Sequence, residues 1–190
     1  SQVFGVPMED VSSDDRRKAK AVNFGIVYGI GAFSLSNDIG TSVQEADRYI
    51  KGYLANYSGV AAFMEKCKSD AKSKGYAETV FGRRRYLPEL TSSNANLRNF
   101  GERVAMNMPI QGTAADIIKI AMIKVWERLK REVPEAHLIM QVHDELIIEA
   151  PQSKQEEVSL LLKQEMENAV TMSVPFIADV NCGKTWYDAK

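Results

Sequence analysis

Histidine and cysteine are scarce, with two of each in 190 residues. Cys67 and Cys182 have no metal-ligand spacing and form no disulfide framework, which excludes a structural zinc site and a cross-linked secreted scaffold. That usage predicts a reduced, cytoplasmic protein. With His137 and His143 alone, a metal phosphohydrolase built on a His-Asp doublet is excluded, because such sites need further histidines. No signal-peptide pattern or uninterrupted apolar run of membrane length is present, so no membrane partner is expected. Gly183-Lys184-Thr185 lacks the upstream glycine of a phosphate-binding loop. A basic excess is missing too: the net charge is −1 and does not by itself announce a polyanionic partner. What remains is a globular composition, 45% hydrophobic, long enough for one or two small domains.

Charge is nevertheless unevenly placed. Residues 1–103 carry 15 Lys/Arg against 12 Asp/Glu, and residues 104–190 carry 9 against 13. The basic residues gather in Ser-Ser-Asp-Asp-Arg-Arg-Lys-Ala-Lys-Ala-Val-Asn-Phe-Gly-Ile-Val-Tyr-Gly-Ile-Gly, residues 12–31. A serine followed three residues later by Asp15, and the Gly29 and Gly31 pair at the other end, predict a helix over about 14–28. Arg16, Lys20, Phe24 and Tyr28 recur every fourth position and share one face. Cations at a helix start, where the peptide dipole is already positive, repel one another by about a few tenths of a kcal/mol per contact. A phosphate-bearing ligand satisfies both the cations and the free N–H groups, with rings one and two turns along for a sugar and base. The competing reading is a solvated cationic face with an aromatic core stripe; cations and rings on one side argue against it.

The order Arg16, Lys20, Phe24, Tyr28, Gly29 resembles the fingers-helix motif of the family A DNA polymerases, the bacterial DNA polymerase I type. The resemblance implies that Arg16 and Lys20 hold the phosphates of an incoming dNTP. It further implies that Phe24 packs on the sugar and base, and that Tyr28 stands over the templating position.

Farther along, Ala32–Ile39 is expected to be a short helix ended by Gly40, and Thr41 to cap a helix with Val43, Ala46, Tyr49, Ile50, Tyr53 and Leu54 inward. A helix over Ser58–Lys74 is expected to turn Val60, Phe63, Met64 and Cys67 inward and its lysines to solvent, both helices packing around the first. Tyr76–Leu90 reads as two short strands around Gly82, with Arg83, Arg84 and Arg85 on a tight connection. A phosphate backbone satisfies three adjacent arginines readily, and Gly-Arg-Arg-Arg-Tyr-Leu-Pro resembles the family's primer-template contact loop. Asn94–Met108 is expected to be helical and broken by Pro109, with a long helix to about Lys130 beyond, its apolar side including Ile120 and Ile123. Arg103, Asn107 and Gln111 read from spacing alone as polar caps at that junction. The resemblance instead places them on the minor groove at the primer end, where purine N3 and pyrimidine O2 accept hydrogen bonds in every correct pair.

His137–Ala150 reads as a hairpin whose bend carries His143, Asp144 and Glu145. Carboxylates on stiff strands suit a site for two Mg²⁺ ions about 4 Å apart. Asp144 is the foremost metal ligand, Glu145 a second, reached directly or through water, and His143 is assigned to orienting the primer terminus. Ser153–Val170 follows as an acidic amphipathic helix, and Val174–Val180 as a strand. Gly183–Lys190 resembles the family's C-terminus.

The fold class expected is α+β, a fragment of a polymerase domain: a helical fingers subdomain over 1–74, then over 75–190 part of a palm with an antiparallel sheet. The resemblance covers essentially the whole chain and implies template-directed nucleotidyl transfer from dNTP to a primer 3′-hydroxyl. It also implies partners outside this sequence. The family's Asp-Tyr-Ser palm motif, its ribose-excluding glutamate and the thumb are missing, and Asn56-Tyr57-Ser58 lacks the carboxylate. Ser1–Val6 carry no start signal, so the chain is expected to belong to something longer and to be inactive alone. Two other classes stay open: a non-catalytic nucleic-acid-binding or folding fragment, and a single-subunit RNA polymerase relative.

Overall fold

A computed structural model describes residues 6–189, so the expectation for Ser1–Gly5 lies outside the described residues. The chain divides into two compact units, one through Ile110 and one from Gln111.

In the first unit, α1 (Ser13–Val27) starts on Ser12, whose hydroxyl accepts from the Asp15 N–H while the Asp15 carboxylate accepts from the Ser12 N–H, a complete capping box. It ends in a Schellman motif: Gly29 takes φ 74°, its N–H donates to the Ile26 carbonyl, and the Ile30 N–H donates to that of Gly25. Next come α2 (Ala32–Ile39), stopped by left-handed Gly40, and α3 (Val43–Asn56). The cap of α3 is Ser42, one residue beyond the expected Thr41; Thr41 instead donates to the Glu45 carboxylate, which also accepts from the Tyr49 hydroxyl at 3.0 Å. Val22, Ile26, Leu35, Ile39 and Ala46 form the core of these three helices.

The helix α4 (Ser58–Lys74) does not join that core. Ala71 packs instead with Ala77, Leu87, Leu90 and Ala105, from the hairpin β1 (Tyr76–Glu78) and β2 (Arg84–Tyr86) and from α5 (Ala95–Asn107). This corrects the expected packing of α4 around α1, and Phe63, expected inward, is 42% exposed. The α4 lysines are neutralised locally: Lys66 by Asp70 at 2.7 Å, Lys72 by Glu102 at 2.6 Å, Lys68 by Glu65.

As expected, one α-helix ends just before Pro109 and another follows, but the segment between them is not an open loop. The residues Met108–Gly112 form a π-helical turn that carries the backbone from α5 into α6 (Thr113–Glu132). A wider turn tolerates the missing proline N–H that an α-helical interior does not.

The second unit packs α6, the hairpin β3 (His137–Val142) with β4 (Glu145–Glu149), and α7 (Gln155–Glu167) around Val125, Leu129, Val133, Leu146, Val158 and Leu161. The strands are antiparallel, Val142 opposite Glu145 and His137 opposite Glu149, with a bulge at Ile139. Arg128 ties α6 to Glu165 of α7 at 2.9 Å, and the Lys124 ammonium donates to the Asn168 and Ala169 carbonyls beyond α7. Two expectations fail here. Ile123 is 54% exposed, and residues 174–180 are not a strand: they have no ladder partner, and the Ala178 N–H donates instead to the Glu167 carboxylate. Among the described residues, no helix is long and apolar enough to cross a membrane.

Candidate functional site

The residues singled out by sequence fall into two groups, one in each compact unit. On α1 the anticipated stripe forms. The Phe24 and Tyr28 rings are stacked, 6.3 Å between centroids and 18° between planes, and the Lys20 ammonium lies over the Phe24 ring at 5.8 Å. Both rings stand in solvent, Phe24 52% and Tyr28 40% exposed, which removes the reading of a core stripe.

The cations of α1 are sorted by one carboxylate. Asp14 accepts from Arg17 at 2.6 Å and is paired with Lys18 at 2.8 Å. Lys18 first and Arg17 second hold the Asp14 carboxyl below the usual carboxylate range, and Asp14 in turn raises the Lys18 ammonium. Arg16 and Lys20 are exposed and have no carboxylate partner among the described residues. Of four clustered cations, the two on the ring-bearing face stay available to an anion.

The three adjacent arginines are not equivalent, and only Arg83 lies on the connection where all three were expected. Arg84 and Arg85 belong to β2, where Arg84 stacks on the Tyr76 ring at 4.6 Å and reaches the Glu78 carboxylate at 3.4 Å. Its guanidinium is committed inside the hairpin, while Arg85, opposite Ala77 in the ladder, is exposed.

Arg103 and Asn107 lie one turn apart on α5, and Gln111 falls in the π turn, across the boundary of the compact units. Arg103 is exposed, its guanidinium 6.0 Å from the Phe100 ring centre. Asn107 keeps a buried side-chain oxygen without a hydrogen-bond partner. Sequence reading used Gly29 as a helix stop and as the end of the fingers-helix motif, yet it also meets α5: a Cβ there would lie 2.4 Å from Met106 Cε and 3.2 Å from Arg103 Cγ. The local signal was a glycine followed by an apolar residue at a helix end; its partner on α5 had no local signal.

In the second unit His143 and Asp144 are the two-residue bend between β3 and β4, and Glu145 is the first residue of β4. His143 takes φ 53°, and its carbonyl accepts from the Gln141 side-chain amide at 2.6 Å. All three side chains of the bend are exposed. No three His, Cys, Asp or Glu side chains converge to hold a metal ion among the described residues. Asp144 and Glu145 present hard carboxylate oxygens of the kind Mg²⁺ takes, and so fit as part of a ligand set and not as a whole one.

The comparisons agree with the family resemblance. A sequence profile described as DNA polymerase family A matches residues 1–188. The chain is 50% identical over 190 residues to DNA polymerase I of Streptococcus pneumoniae serotype 4, covering all of this chain and 22% of that protein. It is 52% identical over 188 residues to DNA polymerase I of Bacillus subtilis, covering 99% of this chain and 21% of that one. It thus spans about a fifth of the length of these curated relatives. A solved structure described as the POL domain of Pol1 from M. smegmatis, in complex with DNA primer-template and dNTP, matches at a TM-score of 0.92 and 40% identity, over 100% of this chain and 33% of that one. On the profile match and these identities, the chain belongs to DNA polymerase family A.

Proposed function

We propose that this chain is the fingers, residues 1–74, and the C-terminal palm portion, residues 75–190, of a bacterial, cytoplasmic DNA-directed DNA polymerase. Its role is template-directed nucleotidyl transfer from dNTP to a primer 3′-hydroxyl. The observation that carries this reading is the sorting of the α1 cations: Asp14 neutralises Arg17 and Lys18, leaving Arg16 and Lys20 free beside two exposed, stacked rings. Arg16 and Lys20 hold the triphosphate, Phe24 packs on sugar and base, and Tyr28 covers the templating position. Arg83, Arg84 and Arg85 meet the primer-template backbone. Arg103, Asn107 and Gln111 meet the minor groove at the primer end, and His143 orients the primer terminus. The M. smegmatis neighbour, described with primer-template and dNTP, supports these partners.

Asp144 would hold one or both of two Mg²⁺ ions, with Glu145 assisting; such ions supply charge stabilisation to the attacking and leaving oxygens. The remaining carboxylate is assigned to an upstream part of the polymerase domain, which also supplies the thumb. A primer-extension assay tests the reading: the chain alone is expected to give no Mg²⁺-dependent synthesis, and the chain within its complete polymerase domain to extend a primer with dNTP in preference to rNTP. Robust synthesis by the isolated chain, or a preference for rNTP in the complete domain, would refute it.

A further inference from the structure

Gly29 closes α1 in the left-handed conformation directly after Tyr28, and its missing side chain faces α5. Two side chains of α5, three residues apart on one face, occupy the place a Cβ would take: Met106 Cε at 2.4 Å, and Arg103 Cγ at 3.2 Å with Cδ at 3.9 Å. Met106 lines the neighbouring cavity of about 370 Å³, so its flexible terminus has room to yield. The Arg103 stem lies against the same backbone, and a Cβ there would push it by a few tenths of an ångström.

We propose that Gly29 is a positioning residue: its bare backbone is the seat on which the stem of Arg103 lies, so the residue after the templating-position tyrosine sets where the Arg103 guanidinium meets the primer end. This rests on the role given to Arg103 above. Its consequence is mechanical. The groups that inspect the incoming pair and the pair just made brace each other through one glycine, and a displaced seat blurs the inspection of the primer end. A guanidinium reading shared minor-groove acceptors depends on its placement, because it must reach N3 or O2 of a correctly shaped pair.

The test uses the complete polymerase and Gly29→Asn, because asparagine tolerates the left-handed conformation yet carries the Cβ. The measured quantity is kcat/KM for extension from matched and from mismatched primer ends, alone and combined with Arg103→Ala, with thermal melts confirming that each variant folds. Loss of a charge-assisted contact predicts about a tenfold drop in matched extension for Arg103→Ala. Gly29→Asn is expected to lower matched extension about threefold and to shrink matched-over-mismatched discrimination by a similar factor, with no further loss in the Arg103→Ala background, as coupled residues require. Additive losses in the double variant, or unchanged discrimination in Gly29→Asn, would overturn the positioning role while leaving that of Arg103 intact. An Arg103→Ala enzyme that extends primers normally would overturn both. Should Gly29→Asn fail to fold, Met106→Ala is added to clear the 2.4 Å contact and the same comparison is made in that background.

Discussion

The α1 stripe and the β3–β4 bend gather charge by opposite means. On α1, helical spacing brings four cations together, and a single aspartate one turn away decides which of them remain available: Arg17 and Lys18 are taken, Arg16 and Lys20 are left. On the hairpin, a two-residue bend pushes His143 and Asp144 into solvent beside Glu145, and no three ligating side chains converge there among the described residues. A helix can therefore carry an anion-binding surface selected within its own sequence. A hairpin bend delivers a carboxylate to a point and needs partners from elsewhere to make it a metal centre.

That contrast sets the order of expected effects. The largest belongs to Asp144→Asn in the complete polymerase, which should lower kcat by at least about 100-fold, since a metal ligand outweighs the outer-shell groups whose loss costs 10–100-fold. Near wild-type turnover with weakened DNA binding would reduce the bend to a docking point. Next come Lys20→Ala and Arg16→Ala, each expected to raise the dNTP KM by about ten- to a hundredfold through loss of a phosphate contact worth roughly 1.5–3 kcal/mol. Arg17→Ala is expected to change it less than about twofold, because its guanidinium is exposed and already spent on Asp14. Equal effects from Arg16 and Arg17 would erase the sorting by Asp14.

The smallest effect tests the helix start. Ser12→Ala should destabilise the first unit by about 1 kcal/mol in a denaturant titration, the usual cost of an N-cap. Hydrogen bonds from the Ser12 hydroxyl and then its backbone N–H hold Asp15 below the ordinary aspartate range. A depressed carboxylate contributes stability above its unfolded pKa and loses it as pH falls through its lower folded value. The Ser12→Ala deficit should thus be full at neutral pH and shrink in strong acid, and a pH-independent deficit would rule out a contribution from the Asp15 carboxylate, leaving only the Asp15 N–H bond to the Ser12 hydroxyl as its source.

Much of this was legible because its causes are local. The bounds of α2 and α4 follow from Gly40 and Gly75, both left-handed as a helix stop requires, and the α1 start follows from Ser12 and Asp15. The hairpin follows from two apolar runs too close together for a loop. The misreadings share another origin. Phe63, Ile123 and residues 174–180 have the right residue types for a core or a strand, but apolar spacing does not say whether another surface lies opposite it. Arg84 looked like its neighbours until Tyr76 and Glu78 were found around it.

Sequence by itself determined where α1 begins, where α2 and α4 end and where the β3–β4 hairpin bends, which residues share the α1 face, and which family the motifs belong to. Each of these depends on contacts within a turn or two, or on order along the chain. Only the tertiary structure decided which core α4 joins, that Arg84 is committed within its hairpin, and that Gly29 lies under Arg103. Those outcomes are set by atoms far apart in sequence, whose close approach is a property of packing and leaves no mark on local spacing.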